Sequence, residues 1–160
     1  MGSANNEQSV QTNPDQSGFR HRADRGSLGK DGLFSRKPAN LGVVNGRLAD
    51  CPSSPNCVST QAGDAEHRVE TIPFTGSSDE AMQRITDLVS EMPRTKIVTV
   101  EDNYLHVEFR SAFFRFVDDV EFLIDAEEQR IHFRSASRVG YSDLGVNRRR
   151  MEQIRKAFGE

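Results

Sequence analysis

The sequence predicts an α+β fold, a two-layer domain with the element order β-α-β-β-β-β-α. Four short stretches rich in β-branched and aromatic residues follow one another between residues 95 and 138, which is typical of an antiparallel meander. Two stretches with helical periodicity, at 77–92 and 142–158, flank this region. We therefore expect an antiparallel sheet of four to five strands with two helices on one face.

The first two elements are predicted from their boundary signals. The segment 68–74 is predicted as a short strand, and Pro73 places it at a sheet edge or a strand end. Ser77 and Glu80 have the spacing of a capping box that begins a helix, and Pro93 ends it. The apolar stripe of this helix consists of Ala81, Met82, Ile85, Leu88, Val89 and Met92.

The four central strands are predicted as consecutive hairpins. Short turns at Asp102-Asn103, at Ser111-Ala112 and at 126–129 set their register. The resulting inner-face pairs are Val100 with Leu105, Val98 with Val107, Phe109 with Phe114, Val107 with Phe116, Ile124 with Ile131, and Phe122 with Phe133.

The outer face of this sheet carries charged residues. Glu121 falls opposite Arg134, a cross-strand pairing that we expect on a solvated face. Phe113 is the outward aromatic residue of its stretch. His106 and His132 also face outward, so we expect no histidine to complete a catalytic triad.

Composition bounds the number of domains and the class of partner. With 160 residues and a formal net charge of −3, we predict a flexible polar tail at 1–40 and a single α+β domain at 41–160. The first part of that domain, 41–67, is a Cys-Pro loop segment. A slightly acidic chain is not typical of nucleic-acid-binding domains, and no apolar run reaches the roughly 18 residues of a membrane helix.

Polar residues interrupt the core pattern at one end of the predicted sheet. Beyond Val120 the next inner-face residue is Asp118, which falls opposite Ser137, while Ser135 falls opposite Val120. Asn147 lies on the apolar stripe of the last helix, which otherwise comprises Leu144, Met151, Ile154 and Phe158. Positions that break a local rule are candidates for function or for structural specificity.

This polar end has three open interpretations. It could be a closed hydrogen-bonded network that ties the last helix, capped by Ser142 or Asp143, to the sheet. It could be a ligand site where the helix start and nearby arginines bind an anion. It could be an active site with Asp118 or Asp119 as a base. The candidate ligand-binding residues are Asp118, Ser135, Ser137, Arg138, Ser142, Asp143, Asn147 and Arg148.

The only two cysteines, Cys51 and Cys57, lie in the stretch "LADCPSSPNCVST". Two thiols are too few for a structural zinc site, and a C-x-x-C redox motif is absent, so we expect no metal and no cofactor. A short-range disulfide and a pair of reduced structural thiols both remain open, the disulfide being expected outside the cytoplasm. We expect Ser54 and Asn56 of this loop to pack against the polar end of the sheet.

Three motifs resemble those of a known family. The segments "ADCPSSPNCVST", "FRFVDDVEF" and "RSASRVGYSDLGVNRRRME" are similar to motifs of the domain of unknown function family 1499, and the resemblance extends over about residues 41–158. The matching positions are Cys51, Pro52, Ser54, Pro55, Asn56, Cys57, Asp118, Asp119, Arg134, Ser135, Ser137, Arg138, Gly140, Ser142, Asp143, Gly145, Asn147 and Arg148. The resemblance implies no established reaction and no catalytic residues.

The family resemblance also implies a compartment, because its members often carry a leader, a lipoprotein signal or membrane segments. We therefore expect a periplasmic or cell-envelope domain that binds a protein partner or a small anionic ligand at the polar end. The alternatives are a hydrolase or transferase that uses Asp118 or Asp119 with neighbouring arginines, and a purely structural accessory module. We expect a monomer without a nucleic-acid partner. "MGS" at 1–3 is typical of an expression remnant, so membrane proximity would come through a removed leader or anchor.

Overall fold

The computed structural model of the chain describes residues 36–112 and 114–160. The predicted tail up to residue 35 and the predicted outward Phe113 lie outside the described residues. The elements are, in chain order, β1 (Cys57–Ser59), β2 (Ile72–Pro73), α1 (Ser78–Ser90), β3 (Thr95–Glu101), β4 (Tyr104–Arg110), β5 (Val117–Asp125), β6 (Arg130–Ser137) and α2 (Val146–Gly159). The predicted α+β class is confirmed.

The described strands form one antiparallel sheet in the order β1-β6-β5-β4-β3, and β2 also pairs with β6. The sheet therefore has six strands instead of the four to five predicted. The added strand is β1, where Val58 lies opposite Ser135. Three residues are too few to show a two-residue periodicity, so the sequence pattern gave no signal for this strand.

Both helices pack on the inner face of the sheet, as predicted, and enclose the main hydrophobic core. The capping box of α1 is present, because the Ser77 hydroxyl accepts from the Glu80 amide and the Glu80 carboxylate accepts from the Ser77 amide. The largest fully buried apolar side chains of the core are Phe122, Phe133, Ile72, Ile85, Leu105, Ile131, Met151 and Ile154.

The predicted register is confirmed for the β5–β6 hairpin and for Val100 opposite Leu105. In the β3–β4 hairpin a register shift at Val98 places Ile97 opposite Val107, so the predicted Val98–Val107 pair is wrong. The shift lets Ile97 pack against the core.

The β4–β5 connection is longer than predicted. β5 begins at Val117 instead of directly after the predicted turn at Ser111-Ala112, and Phe109 lies opposite Asp118. Phe114 and Phe116 are therefore in the connecting loop and are 76% and 41% exposed, which makes their predicted burial wrong. Their rings stack on each other with centroids 5.5 Å apart.

The outer face of the sheet is buried where we expected it to be solvated. Residues 39–50, here called the N-terminal strap, lie against this face: Leu48 forms a small core with Tyr104 and Leu123. The Gly42 amide donates to the Glu121 carboxylate at 2.7 Å, and Glu121 is fully buried beside Arg134. The prediction failed because alternation identifies two faces but does not show which of them is covered.

The last helix also begins later than expected, at Val146. Leu144 lies before it and is 83% exposed, so its predicted place on the apolar stripe is wrong. Asp143 instead turns back over the helix start and accepts hydrogen bonds from the amides of Gly145 and Asn147.

Candidate functional site

The polar residues on the inner face do converge at one end of the sheet, where they surround Asn147. The Asn147 side chain is fully buried and accepts a hydrogen bond from the Ser135 hydroxyl. Its amide nitrogen lies 2.7 Å from an Asp143 oxygen and 3.0 Å from the Ser137 hydroxyl oxygen. We call this set, together with Asp118 and its partners, the inner network. It fixes the start of α2 on the ends of β5 and β6.

Asp118 belongs to the inner network and is almost fully buried. One carboxylate oxygen accepts from the Ser137 hydroxyl at 2.6 Å, and the other accepts from the Arg150 guanidinium at 2.7 Å. Arg150 also donates to Asn147 and lies over the Phe109 ring. Both oxygens of the Asp118 carboxylate are therefore engaged.

The cysteine loop, residues 51–57, is held onto the same end. Cys51 and Cys57 form a disulfide. The Asn56 side chain donates to the Gly140 carbonyl, and the Asn56 carbonyl accepts from the Ser137 amide. The Ser54 hydroxyl orients Asn56 by donating to its side-chain oxygen. The loop and the 138–145 segment thus lie against each other.

His67 fastens the cysteine loop from its other side. One ring nitrogen lies 2.7 Å from the Asp64 carboxylate, and the other lies 3.1 Å from the Ser54 carbonyl. Both partners are acceptors, so the doubly protonated imidazolium satisfies both. Burial of the imidazole opposes its protonation, but the hydrogen bonds to Asp64 and Ser54 outweigh burial and raise the pKa of His67.

Arg138 lies on the opposite face of the sheet from Asp118, because it is one residue beyond the inward-facing Ser137. Its guanidinium donates twice to Asp119, at 2.8 Å each, and once to Glu108 at 2.6 Å. His106 donates its Nε2 proton to the same Asp119 carboxylate at 2.8 Å. We call these four residues the outer network.

The outer network keeps Asp119 ionised in a buried position. Burial by itself would raise the pKa of the Asp119 carboxyl, but the hydrogen bonds from Arg138 and His106 outweigh it and hold this pKa below its ordinary value. Asp119 and His106 are each 1% exposed. The outer network is thus a buried structural cluster, and an incoming substrate has no open path to its carboxylate in the described structure.

Two other predicted site residues lie apart from both networks. Ser142 is exposed, and its hydroxyl accepts from the Leu144 amide. Arg148 donates to the carbonyls of Glu66 and Arg68, and so fastens α2 to the segment before β2. Neither side chain faces Asp118.

Next to the inner network lies a cleft of about 310 Å³ that the sequence did not suggest. We call it the arginine cleft, because Arg94, Arg110, Arg149 and Arg150 line it and no acidic residue of the described ranges does. Its other lining residues are Met92, Pro93, Phe109, Val146 and Gln153. A second cavity of about 270 Å³ beside Arg68, Arg148 and Arg155 differs, because Glu70 and Glu152 also line it.

Sequence reasoning missed Arg150, His106 and Glu108. Arg150 lies outside the apolar stripe of α2, so hydrophobic periodicity does not indicate its contact with Asn147 one turn earlier. His106 and Glu108 share the outer face with the apolar Leu123, which is buried. An apolar residue among outward charges is the signal that could have indicated a covered face.

Among the described residues, Asp125, Glu128 and His132 place potential ligand atoms within 4.8 Å of one another. They lie on the partly exposed β5–β6 turn, where Asp125 already accepts from two backbone amides. This arrangement is typical of a capped turn, and we assign no metal to it. In the described part of the chain, no helix combines the length and the apolar character that crossing a membrane requires.

Comparison with known proteins gives one match. No curated protein and no solved structure matches the chain. The model of the family described as "Protein of unknown function (DUF1499)" matches residues 47–158. That span includes the cysteine loop, both networks and the arginine cleft. The chain therefore belongs to the DUF1499 family.

Proposed function

We propose that this protein is a non-catalytic binding module that recognises an anionic group at the arginine cleft. The observation that carries the proposal is the lining of the cleft, where four arginines meet and none of the described lining residues is acidic. Two of them already have a carboxylate partner outside the lining, Arg110 in Glu108 and Arg150 in Asp118. Arg94 and Arg149 have no carboxylate within salt-bridge distance among the described residues. An incoming anion would supply the missing counter-charge and accept charge-assisted hydrogen bonds.

The closed inner network supports binding instead of catalysis. Asp118 is 6% exposed and both its oxygens accept hydrogen bonds, so it is poorly placed to take a proton from a substrate. The network instead holds Arg150 in a fixed orientation at the wall of the cleft. A hydrolase or transferase based on Asp118 or Asp119 is therefore the less supported alternative.

We further propose that the module works in an oxidising compartment such as the periplasm or the cell envelope. The Cys51–Cys57 disulfide supports this, because such bonds persist outside the reducing cytoplasm.

Titration with inorganic phosphate, followed by backbone amide NMR shifts, tests the binding proposal. We expect saturable shifts at residues that line the cleft, and an affinity about tenfold lower in Arg149→Ala, because one charge-assisted contact is lost. Arg155→Ala is the matched control, since Arg155 is an exposed arginine of the same helix outside the cleft. Equal loss in the two variants, or no saturable shift at the cleft, would refute the proposal.

A further inference from the structure

The end of the sheet that carries the arginine cleft also carries most of the exposed large apolar side chains of the described residues. Phe114 is 76% exposed in the β4–β5 loop, and Tyr141 and Leu144 are 76% and 83% exposed in the β6–α2 loop. The two loops lie at the same end, because the Arg138 amide, where the β6–α2 loop begins, donates to the carbonyl of Val117, where the β4–β5 loop ends. We call this region, with the arginine cleft, the basic end.

Left-handed backbone occurs at or beside two of the apolar residues of the basic end. Leu144 has a φ of +54°, and Arg115, beside Phe114, has a φ of +56°. Left-handed backbone at a non-glycine residue costs free energy, so a fold seldom uses it to expose an apolar side chain without a compensating interaction. An occupant of the basic end would supply that interaction.

Charge identifies the chemistry of this occupant. Arg94, Arg115 and Arg149 are exposed at the basic end, and Arg110 is half-buried there. The turns at the opposite end of the sheet, β3–β4 and β5–β6, carry Glu101, Asp102, Asp125, Glu127 and Glu128. Glu91 and Asp143 also lie at the basic end, and Arg130 lies at the other, but arginines outnumber these acidic residues at the basic end and acidic residues outnumber Arg130 at the turns. The basic end is therefore attracted to an extended anionic surface.

The form of the apolar patch favours a membrane over a protein. Phe114, Tyr141 and Leu144 are exposed on two separate loops. Arg115 follows Phe114 in the chain, and Arg149 donates to the Leu144 carbonyl. Arginine and aromatic residues are also common in protein interfaces, but there they surround one contiguous buried core, which side chains on two separate loops do not form. Aromatic and leucine side chains flanked by arginines are instead typical of segments that insert shallowly at the lipid headgroup level.

We propose that the basic end docks onto an anionic phospholipid bilayer, with Phe114 and Leu144 inserted between headgroups and the arginine cleft on a lipid phosphate. This inference rests on the proposed function, because it names phospholipid as the source of the anion. It differs from anchoring by a leader, because the folded domain itself makes the contact.

Vesicle co-sedimentation of the full chain tests this inference. We expect binding to vesicles of phosphatidylcholine mixed with phosphatidylglycerol, little binding to phosphatidylcholine alone, and weakening by added salt. Phe114→Ser and Leu144→Ser should each lower the partition coefficient about tenfold, because a buried apolar side chain is lost. Val44→Ser is the matched control, since Val44 is 72% exposed on the N-terminal strap. An equal loss in the control would overturn the inference.

Fluorescence gives an independent readout, because the chain contains no tryptophan. We expect the emission of Phe114→Trp to shift to the blue when phosphatidylglycerol vesicles are added, while that of Val44→Trp stays unchanged. The same blue shift at both positions, or no shift at residue 114, would contradict insertion at the basic end.

The phosphate titration separates the two proposals. Phe114→Ser should leave phosphate shifts at the arginine cleft unchanged, whereas Arg149→Ala should weaken both phosphate and vesicle binding. Phosphate binding without vesicle binding would overturn the membrane inference and assign the cleft to a soluble anion. Vesicle binding that Arg149→Ala leaves unchanged would refute the role of the cleft in docking.

Discussion

Asp118 and Asp119 are neighbours in the chain, yet they organise two different regions of the molecule. Asp118 faces inward, and its inner network joins the sheet to α2 and the cysteine loop. Asp119 faces outward, and its outer network joins β4, β5 and the end of β6. The difference shows that alternation along one strand suffices to place two identical side chains in separate networks with separate tasks.

The two networks also differ in how deeply the partner charge is buried. The Arg138 side chain of the outer network is 4% exposed, whereas the Arg150 side chain of the inner network is 12% exposed and lies at the wall of an open cleft. A buried charge that loses its partner is costly, whereas a charge near the surface can turn towards water. The outer network should therefore contribute more to stability, and the inner network more to the shape of the cleft.

Neutralising each aspartate in turn is the strongest test of this comparison. We expect Asp119→Asn to lower the free energy of unfolding by roughly 3 kcal/mol, because Arg138 is left buried with less compensation. Asp118→Asn should lower it by only about 1 kcal/mol, because Arg150 can swing into the cleft. Urea unfolding followed by circular dichroism measures both values. A larger effect at Asp118 would contradict the comparison.

Part of the separation into an inner and an outer network could be predicted from the sequence. The alternating pattern placed Asp118, Ser135 and Ser137 on one face together with Asn147, and the structure brings these residues into contact. The same pattern placed Asp119 on the other face, but it could not indicate that residues 39–50 cover that face. Coverage depends on long-range packing, which strand periodicity does not encode.

The offset between neighbouring strands also could not be predicted from the alternation of apolar and polar residues. A two-residue periodicity specifies which face each residue takes, and a shift by an even number of residues leaves those faces unchanged. Phe109 is therefore on the inner face in both the predicted and the observed register, although its partner is Asp118 and not Phe114. That shift lengthens the β4–β5 loop and exposes Phe114, so the feature that defines the basic end could not be predicted.

Reduction of the disulfide tests the comparison at the cysteine loop, which contacts the inner network and not the outer network. We expect reduction of Cys51–Cys57 to destabilise the protein by about 2 kcal/mol, because the loop that it closes is short. Phosphate affinity should also fall, since Asn56 supports the segment that leads into α2. Thermal unfolding with and without reductant measures the first effect.

The control for this experiment is the double variant Cys51→Ala/Cys57→Ala, whose unfolding should not respond to reductant. If reductant changes this variant as much as the wild type, the effect does not come from the disulfide. If reduction alters the environment of Asp119 more than that of Asp118, the assignment of the cysteine loop to the inner network is wrong.

The smallest expected effect is a pH dependence that arises from His67, which fastens the cysteine loop from outside both networks. Because the folded pKa of His67 is raised, its stabilising contribution is complete below the unfolded value of about 6.5 and is lost as the pH rises through the folded value. Asp64→Asn removes the carboxylate that helps to raise this pKa, so the loss of stability should move to lower pH. Asp50→Asn, an exposed change on the N-terminal strap, is the control.

The His67 ring resonance, followed by NMR between pH 5 and 9, reports the titration itself. A folded pKa at or below about 6.5 would show that the hydrogen bonds to Asp64 and Ser54 do not outweigh burial, and the cysteine loop would then depend on its disulfide and the inner network alone.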